Sequence, residues 1–286
     1  MTNATSNFIA LAAPDWLQHD MAQAAPILPG VRTLVMFRNE IDRKSPTEHL
    51  KYLLQRSFGL NSDIAHNMAR QVDGHNHDAF LLHDAPRQDR VNACPVTGHR
   101  EERTTILVAP RHALIVLPDS QQSTADLIRR ATGLTAVRPD AGNFHRGAFW
   151  HEFGHLRMAA LAGNIIRARL DEQNADLSVR HGCRLVQDQA SLHTFMNWRL
   201  LSNFTSPVSP KSSIYWNDLS LLGVKDATEA DSIASLLELK LRAAGGKPHT
   251  DDPQTFASKM MADPRYTGVR SAFQSLQNGP ERMLQQ

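Results

Sequence analysis

Residues 151–176 read HEFGHLRMAALAGNIIRARLDEQNAD, and the spacing within this stretch governs how the whole chain is read. On a helix, His151 and His155 stand one turn apart on the same face, so both imidazoles can reach one cation. Glu152 lies beside that face, where a carboxylate can take a proton from a water at the site. A helix over 151–162, a turn at Gly163-Asn164 and an antiparallel helix from Ala168 return Glu172 to the level of His155. Eight residues lead from His155 out to Gly163 and nine lead back to Glu172. At a rise of about 1.5 Å per residue the two legs nearly cancel. Asp176, one turn further on, falls level with His151 and is placed to accept that ring's second N–H. His151, His155 and Glu172 are thus the expected ligands of one Zn2+ ion. Three protein ligands leave a fourth position open, as catalytic rather than structural zinc sites do.

His151-Glu152-x-x-His155 followed by Glu172-x-x-Ala175-Asp176 resembles the gluzincin branch of the zincin metallopeptidases, over the 26 residues from His151 to Asp176. The metzincin branch fits less well, because its third histidine would fall at Leu161 and its glycine at Met158. The resemblance implies hydrolysis of a peptide bond in a peptide or protein substrate, with Glu152 as general base. It also implies an α+β, zincin-like fold, in which a small mixed or antiparallel sheet packs on the HExxH helix and a mostly helical C-terminal part follows. It does not name a substrate.

Local patterns extend this outline in both directions. The run VRTLVMFR at 31–38 reads as a strand, and helices are expected over 46–57 and 61–71. Residues 73–102 are rich in His, Asp, Asn, Arg and Pro around the apolar 79–82, and read as a long surface excursion around one strand. The β-rich runs at 104–110 and 113–118 suggest a hairpin or consecutive strands. A helix over 123–132 with Ser123 as a possible N-cap follows, then a short strand at 134–137. The HExxH helix starts near Asn143 or Phe144 and is apolar nearly all round, as a buried helix is. Further helices are expected over 168–180, ending in the region of Gly182, and over 184–203. The segment 205–213, TSPVSPKSS, is either a linker or an ordered loop over the cleft. Beyond it, 228–244 forms an amphipathic helix stopped by Gly245-Gly246, and two more helices follow, from Asp252-Pro253 and over 266–277. These patterns divide the chain into a mixed N-terminal region (1–103), a catalytic core (104–204) and a helical C-terminal subdomain (205–286).

Composition narrows the classes of partner. In 286 residues, 31 Lys+Arg stand against 29 Asp+Glu, and the net charge of +2 gives no reason to expect nucleic acid or a charged membrane surface. No apolar run approaches the twenty or so residues needed to cross a bilayer. The apolar 8–13 stretch has no Lys or Arg before Arg32, so no secretory leader is expected and the cytoplasm is the expected compartment. Cys94 and Cys183 are expected as free thiols, with a zinc-capping role for Cys94 as the lesser alternative. Oligomeric state is not legible.

The donor that would stabilise an oxyanion beside the metal is not fixed by any motif. His181, His193, Arg180, Arg199 and Tyr215 are candidates, and His193 and Tyr215 are preferred as catalytic residues. His75, His77 and His83 with Asp78 and Asp84 form a loose cluster that reads as a solvated loop before it reads as a second metal site. His145, six residues before His151, is off the metal-facing side. Two other functions remain open at this point: a zinc hydrolase acting on a non-peptide amide, and a non-catalytic, zinc-stabilised binding module.

Overall fold

The computed structural model describes residues 7–73, 79–82, 93–95, 112–132, 142–162 and 168–205. The described residues form an α+β structure with one small mixed sheet. Its strands are β1 (Phe8–Ala10), β2 (Arg32–Phe37), β3 (Ala79–Leu82), β4 (Ala93–Pro95) and β5 (His112–Leu117). The order across the sheet is β1-β2-β5-β3-β4. β1, β2 and β5 run parallel, with Leu34 opposite Leu114 and Met36 opposite Val116, whereas β3 is antiparallel to both β5 and β4.

The two central parallel strands explain their own sequences. A parallel strand covered on both faces reads as a continuous apolar run rather than an alternating one. All six residues of β5 are buried, as are Thr33 to Phe37 of β2. One face carries Leu34, Met36, Leu114, Val116 and Phe80 into a core shared with α2 (Pro46–Phe58) and α3 (Ser62–Asp73). These helices present Leu50, Leu53, Leu54 and Phe58, and Ala65, Met68, Ala69 and Val72, at the spacing that makes one apolar stripe. Asn61 caps α3 by accepting the Ile64 N–H at 2.9 Å.

On the other face the sheet meets the HExxH helix. Phe8 lies on the same side as Thr33, its partner in register, and its ring contacts Phe149 and Phe153 at 6.3 and 6.1 Å between centroids. Those residues belong to α5 (Phe144–Ala162), which follows α1 (Asp15–Ala24) and α4 (Thr124–Thr132) in the chain. Two further helices, α6 (Ala168–Leu185) and α7 (Gln189–Thr205), complete the described elements.

The residues group into two compact units, Met1–Gln121 with Ala148–Gln187, and Gln122–Gly147 with Asp188–Gln286. The first holds the sheet, α1 to α3, most of α5 and α6. In the second, Ser123 caps α4: Asp126 N–H donates to Ser123 Oγ at 3.1 Å and the hydroxyl donates back to Asp126 Oδ2 at 2.7 Å. Asp188 caps α7 in the same way, accepting the Ser191 N–H at 2.9 Å and the Ser191 hydroxyl at 2.6 Å. Arg146 pairs with the same Asp188 carboxylate. Phe144 packs edge to face on Trp198, and Phe195 lies tilted against both rings.

Three expectations change at the element level. No helix was expected over 15–24, where α1 lies, because its buried stripe of Leu17, Met21 and Ala24 includes Asp20, a charge at a core position. The segment around Cys94, expected as part of a polar excursion, is strand β4. α6 does not stop near Gly182 but runs on to Leu185 and turns off through Gln187, whose φ of 55° is left-handed. Gly182 has a packing reason instead, since a Cβ there would stand 1.9 Å from Trp150 Cδ2. The proposed strands at 104–110 and 134–137, the turn at Gly163-Asn164, the His75–His83 cluster, the 205–213 segment and the helices beyond it lie outside the described residues. Among the described residues no helix is long and apolar enough to cross a membrane.

Candidate metal centre

α5 and α6 lie against each other at the distance of two backbones. Gly154, inside the HEFGH sequence, makes this possible: a Cβ added to it would stand 2.6 Å from Ala175 Cα and 2.8 Å from Ser178 Cβ. One turn back on α5, Trp150 fills the space left open above Gly182. Rising positions on α5 therefore meet falling positions on α6, which is an antiparallel register. Asp176 meets His151, and Glu172, one turn before Asp176, occupies the position level with His155.

Within this register the two histidines converge. His155 is fully buried and His151 nearly so. Their Nε2 atoms are 3.3 Å apart and their rings cross at 88° with centroids 4.8 Å apart. His151 Nδ1 lies 3.0 Å from Asp176 Oδ1, and Asp176 is itself 2% exposed. The contact with Asp176 is a close approach of ring nitrogen to carboxylate, and it leaves the Nε2 edge of the His151 ring turned toward His155. Glu152 is half-buried next to this pair, with its Oε2 closed to solvent.

Two arrangements satisfy a pair of facing Nε2 atoms: an N–H···N hydrogen bond between the rings, or a cation shared by two lone pairs. The 3.3 Å separation is compatible with both, since it lies within range of an N–H···N hydrogen bond. Two nitrogens at about 2.0–2.1 Å from one tetrahedral zinc ion are separated by about 3.3–3.4 Å, which is the separation found. The carboxylate behind His151 is the partner that metal-bound histidines use to fix ring orientation and raise ligand basicity. The residues present therefore fit a zinc ion.

Among the described residues no group of three or more His, Cys, Asp and Glu side chains gathers as a cation cage. The Glu172 side chain lies outside the described residues, so the structure brings together His151, His155 and Asp176 and places Glu172 by backbone register alone. Of the proposed oxyanion donors, His193 sits on α7 in the second unit, its Nε2 2.8 Å from the Gln189 side-chain amide nitrogen. Tyr215 lies outside the described residues. His181 is exposed on α6, Arg180 is half-buried on the same helix, and Arg199 is buried on α7. His145 is buried beside Phe144 in the second unit. Cys183 is a buried free thiol, whereas the Cys94 side chain lies outside the described residues.

Sequence reasoning passed over Gly154 and read Gly182 as a helix end, whereas both let α5 approach α6. A glycine in an unbroken helix pattern is a local cost of about 1 kcal/mol, and its reason appears only across the packed interface. Comparison of the chain with protein-family models, with curated proteins and with solved structures gives no match.

Proposed function

We propose that the chain is a zinc-dependent peptide hydrolase with a zincin-like core, in which His151, His155 and Glu172 hold one zinc ion and Glu152 is the general base. The observation that carries it is the pair of facing Nε2 atoms, 3.3 Å apart, with Asp176 behind one of them. That convergence also uses a helix pair whose register returns Glu172 to the level of His155. The mixed sheet lying against α5 through Phe8 supports the fold assignment.

When bound, zinc supplies Lewis acidity at the scissile carbonyl. The remaining chemistry belongs to the chain. Glu152, half-buried beside the histidines, takes the proton of the attacking water and returns it to the leaving amine, so the carboxylate is regenerated each cycle. Asp176, 3.0 Å from His151 Nδ1, would orient the His151 ring so that its Nε2 faces the metal position. The buried Phe149, Phe153 and Leu156 shield the inner side of the helix from water. The peptide bond is the substrate group proposed, on the resemblance carried by His151, Glu152, His155, Glu172 and Asp176.

Metal analysis of the purified full chain tests the site, and a peptide-library digest tests the reaction. One equivalent of zinc is expected, lost in His155→Ala. Glu152→Gln is expected to keep the zinc and lose hydrolysis by a factor of about 10² or more. Full turnover in Glu152→Gln would remove the assigned base. Bound zinc with no hydrolysis in the parent chain would favour the binding-module function, and turnover of small amides alone would favour a non-peptide substrate.

A further inference from the structure

Asp20 is a buried carboxylate far in sequence from the HExxH stretch, and it accepts a hydrogen bond from Trp150, the residue before His151. It lies on the buried stripe of α1 between Leu17 and Ala24, with no exposed surface. Trp150, which precedes His151 on α5, donates its indole N–H to Asp20 Oδ2 at 2.9 Å and is 1% exposed. The same indole ring sits over Gly182 of α6, where no side chain could fit beneath it. Trp150 is therefore held between α1 and α6.

A carboxylate in such a position costs stability unless it is hydrogen-bonded, and an aliphatic side chain would fill the same space without that cost. What the carboxylate adds is direction. A packed ring can slide or tilt against its neighbours, whereas an N–H···O bond fixes the ring's edge and so the roll of the helix that bears it. The consequence at the site is geometric. Ring tips on α5 lie roughly 5–6 Å from the helix axis, so a roll of about 10° moves them by about 1 Å. A functional constellation tolerates displacements of about 0.5 Å. Such a roll leaves the His151–His155 spacing intact, because both are on one helix. It spoils the meeting of that pair with Asp176 and with the position of Glu172 on α6.

We infer that Asp20 is a positioning residue: through the Trp150 indole N–H it fixes the roll of α5 and so the direction in which the histidine pair faces α6. That this positioning serves metal binding rests on the function proposed above, but the geometric part does not.

The test uses the full chain, first without metal and then with Zn2+ as the probe. In the metal-free protein, the ring resonances of His151, whose Nδ1 lies 3.0 Å from Asp176 Oδ1, are followed by 1H–15N NMR, and Zn2+ affinity is measured by competition with a chromophoric chelator. Trp150→Phe keeps the packed ring and removes the donor. It is expected to shift the His151 ring resonances and to weaken Zn2+ binding tenfold or more, while unfolding stays cooperative. Asp20→Asn keeps an acceptor oxygen and is expected to retain Zn2+ affinity within about threefold. Asp20→Ala is expected to reproduce Trp150→Phe. If Asp20→Ala does not fold, Trp150→Phe and Asp20→Asn decide the matter. An unchanged His151 resonance and an affinity within twofold in Trp150→Phe would overturn the inference, whatever happens to the melting temperature. If the parent chain binds no Zn2+, the metal site fails, yet a His151 resonance that moves in Trp150→Phe would still uphold the role of Asp20.

Discussion

Replacing Gly154 by alanine isolates the contact on which the candidate site depends. The new Cβ would meet Ala175 Cα at 2.6 Å and Ser178 Cβ and Oγ at 2.8 Å. Non-bonded carbons rest about 3.5–4.0 Å apart, so the helices must separate by about 1 Å, and Ala175 Cα, as backbone, cannot swing aside. His151 Nδ1 and Asp176 Oδ1, now 3.0 Å apart, would then lie at about 4 Å, beyond hydrogen-bonding range. Alanine gains about 1 kcal/mol of helix propensity over glycine. Against this stand about 1–3 kcal/mol for overpacking, to which the separation of the buried His151–Asp176 pair adds. The net effect of packing alone is destabilising by up to about 2 kcal/mol. Thermal or urea unfolding of the metal-free chain measures it, and metal titration of the folded variant should show an affinity 10- to 100-fold lower. A Gly154→Ala chain as stable as the parent, with unaltered metal affinity, would refute the close approach of α5 and α6.

Three more outcomes follow from neighbouring contacts. Gly182→Ala should cost at least about 1–3 kcal/mol despite alanine's better propensity, because its methyl would enter the Trp150 ring, and near-UV circular dichroism should report the displaced indole. Asp176→Ala should weaken Zn2+ binding 10- to 100-fold while leaving one equivalent bound at saturation, as judged by competition titration. Asp188→Ala should cost about 1–2 kcal/mol at neutral pH as a lost helix cap. Desolvation raises the Asp188 pKa, but the Ser191 hydroxyl, the Ser191 N–H and Arg146 together outweigh it, so the carboxyl is held below its ordinary value. A carboxylate depressed in the folded state contributes its full stability above the unfolded value near pH 4 and loses it as pH falls through the lower folded value. Urea midpoints for parent and variant should accordingly converge as pH falls below the ordinary carboxylate range.

Most of what orders the site was written locally. Parallel-strand runs such as TLVMF and ALIVL are apolar without alternation, so 31–38 and 113–118 are legible as strands from composition alone, and the observed β2 and β5 lie within them. The helices at 46–58 and 62–73 show the 3.6-residue stripe that their buried faces require. The onset of α5 at Phe144 and of α6 at Ala168 agree with the sequence reading, as does the Ser123 cap, because caps and apolar runs act within one or two turns. α1 was not legible, since Asp20 interrupts its stripe and accepts a hydrogen bond from a tryptophan 130 residues away. β4 was not legible either, because three residues in a polar neighbourhood carry no periodicity until β3 pairs with them.

The sequence by itself determined the helical spacing of His151 and His155, the length of the return path to Asp176 and Glu172, and the strands and amphipathic helices that build the first unit. All of these follow from the fixed rise and turn of regular backbone. Tertiary structure alone decided that α6 passes unbroken through Gly182, that β5 lies between β2 and β3, and that Asp176 reaches His151 at 3.0 Å. It also decided that a carboxylate on α1 holds the indole beside the histidines. Each of these depends on which surfaces meet across the interface between elements, and a glycine or a buried acid carries no local mark of the neighbour it was placed to receive.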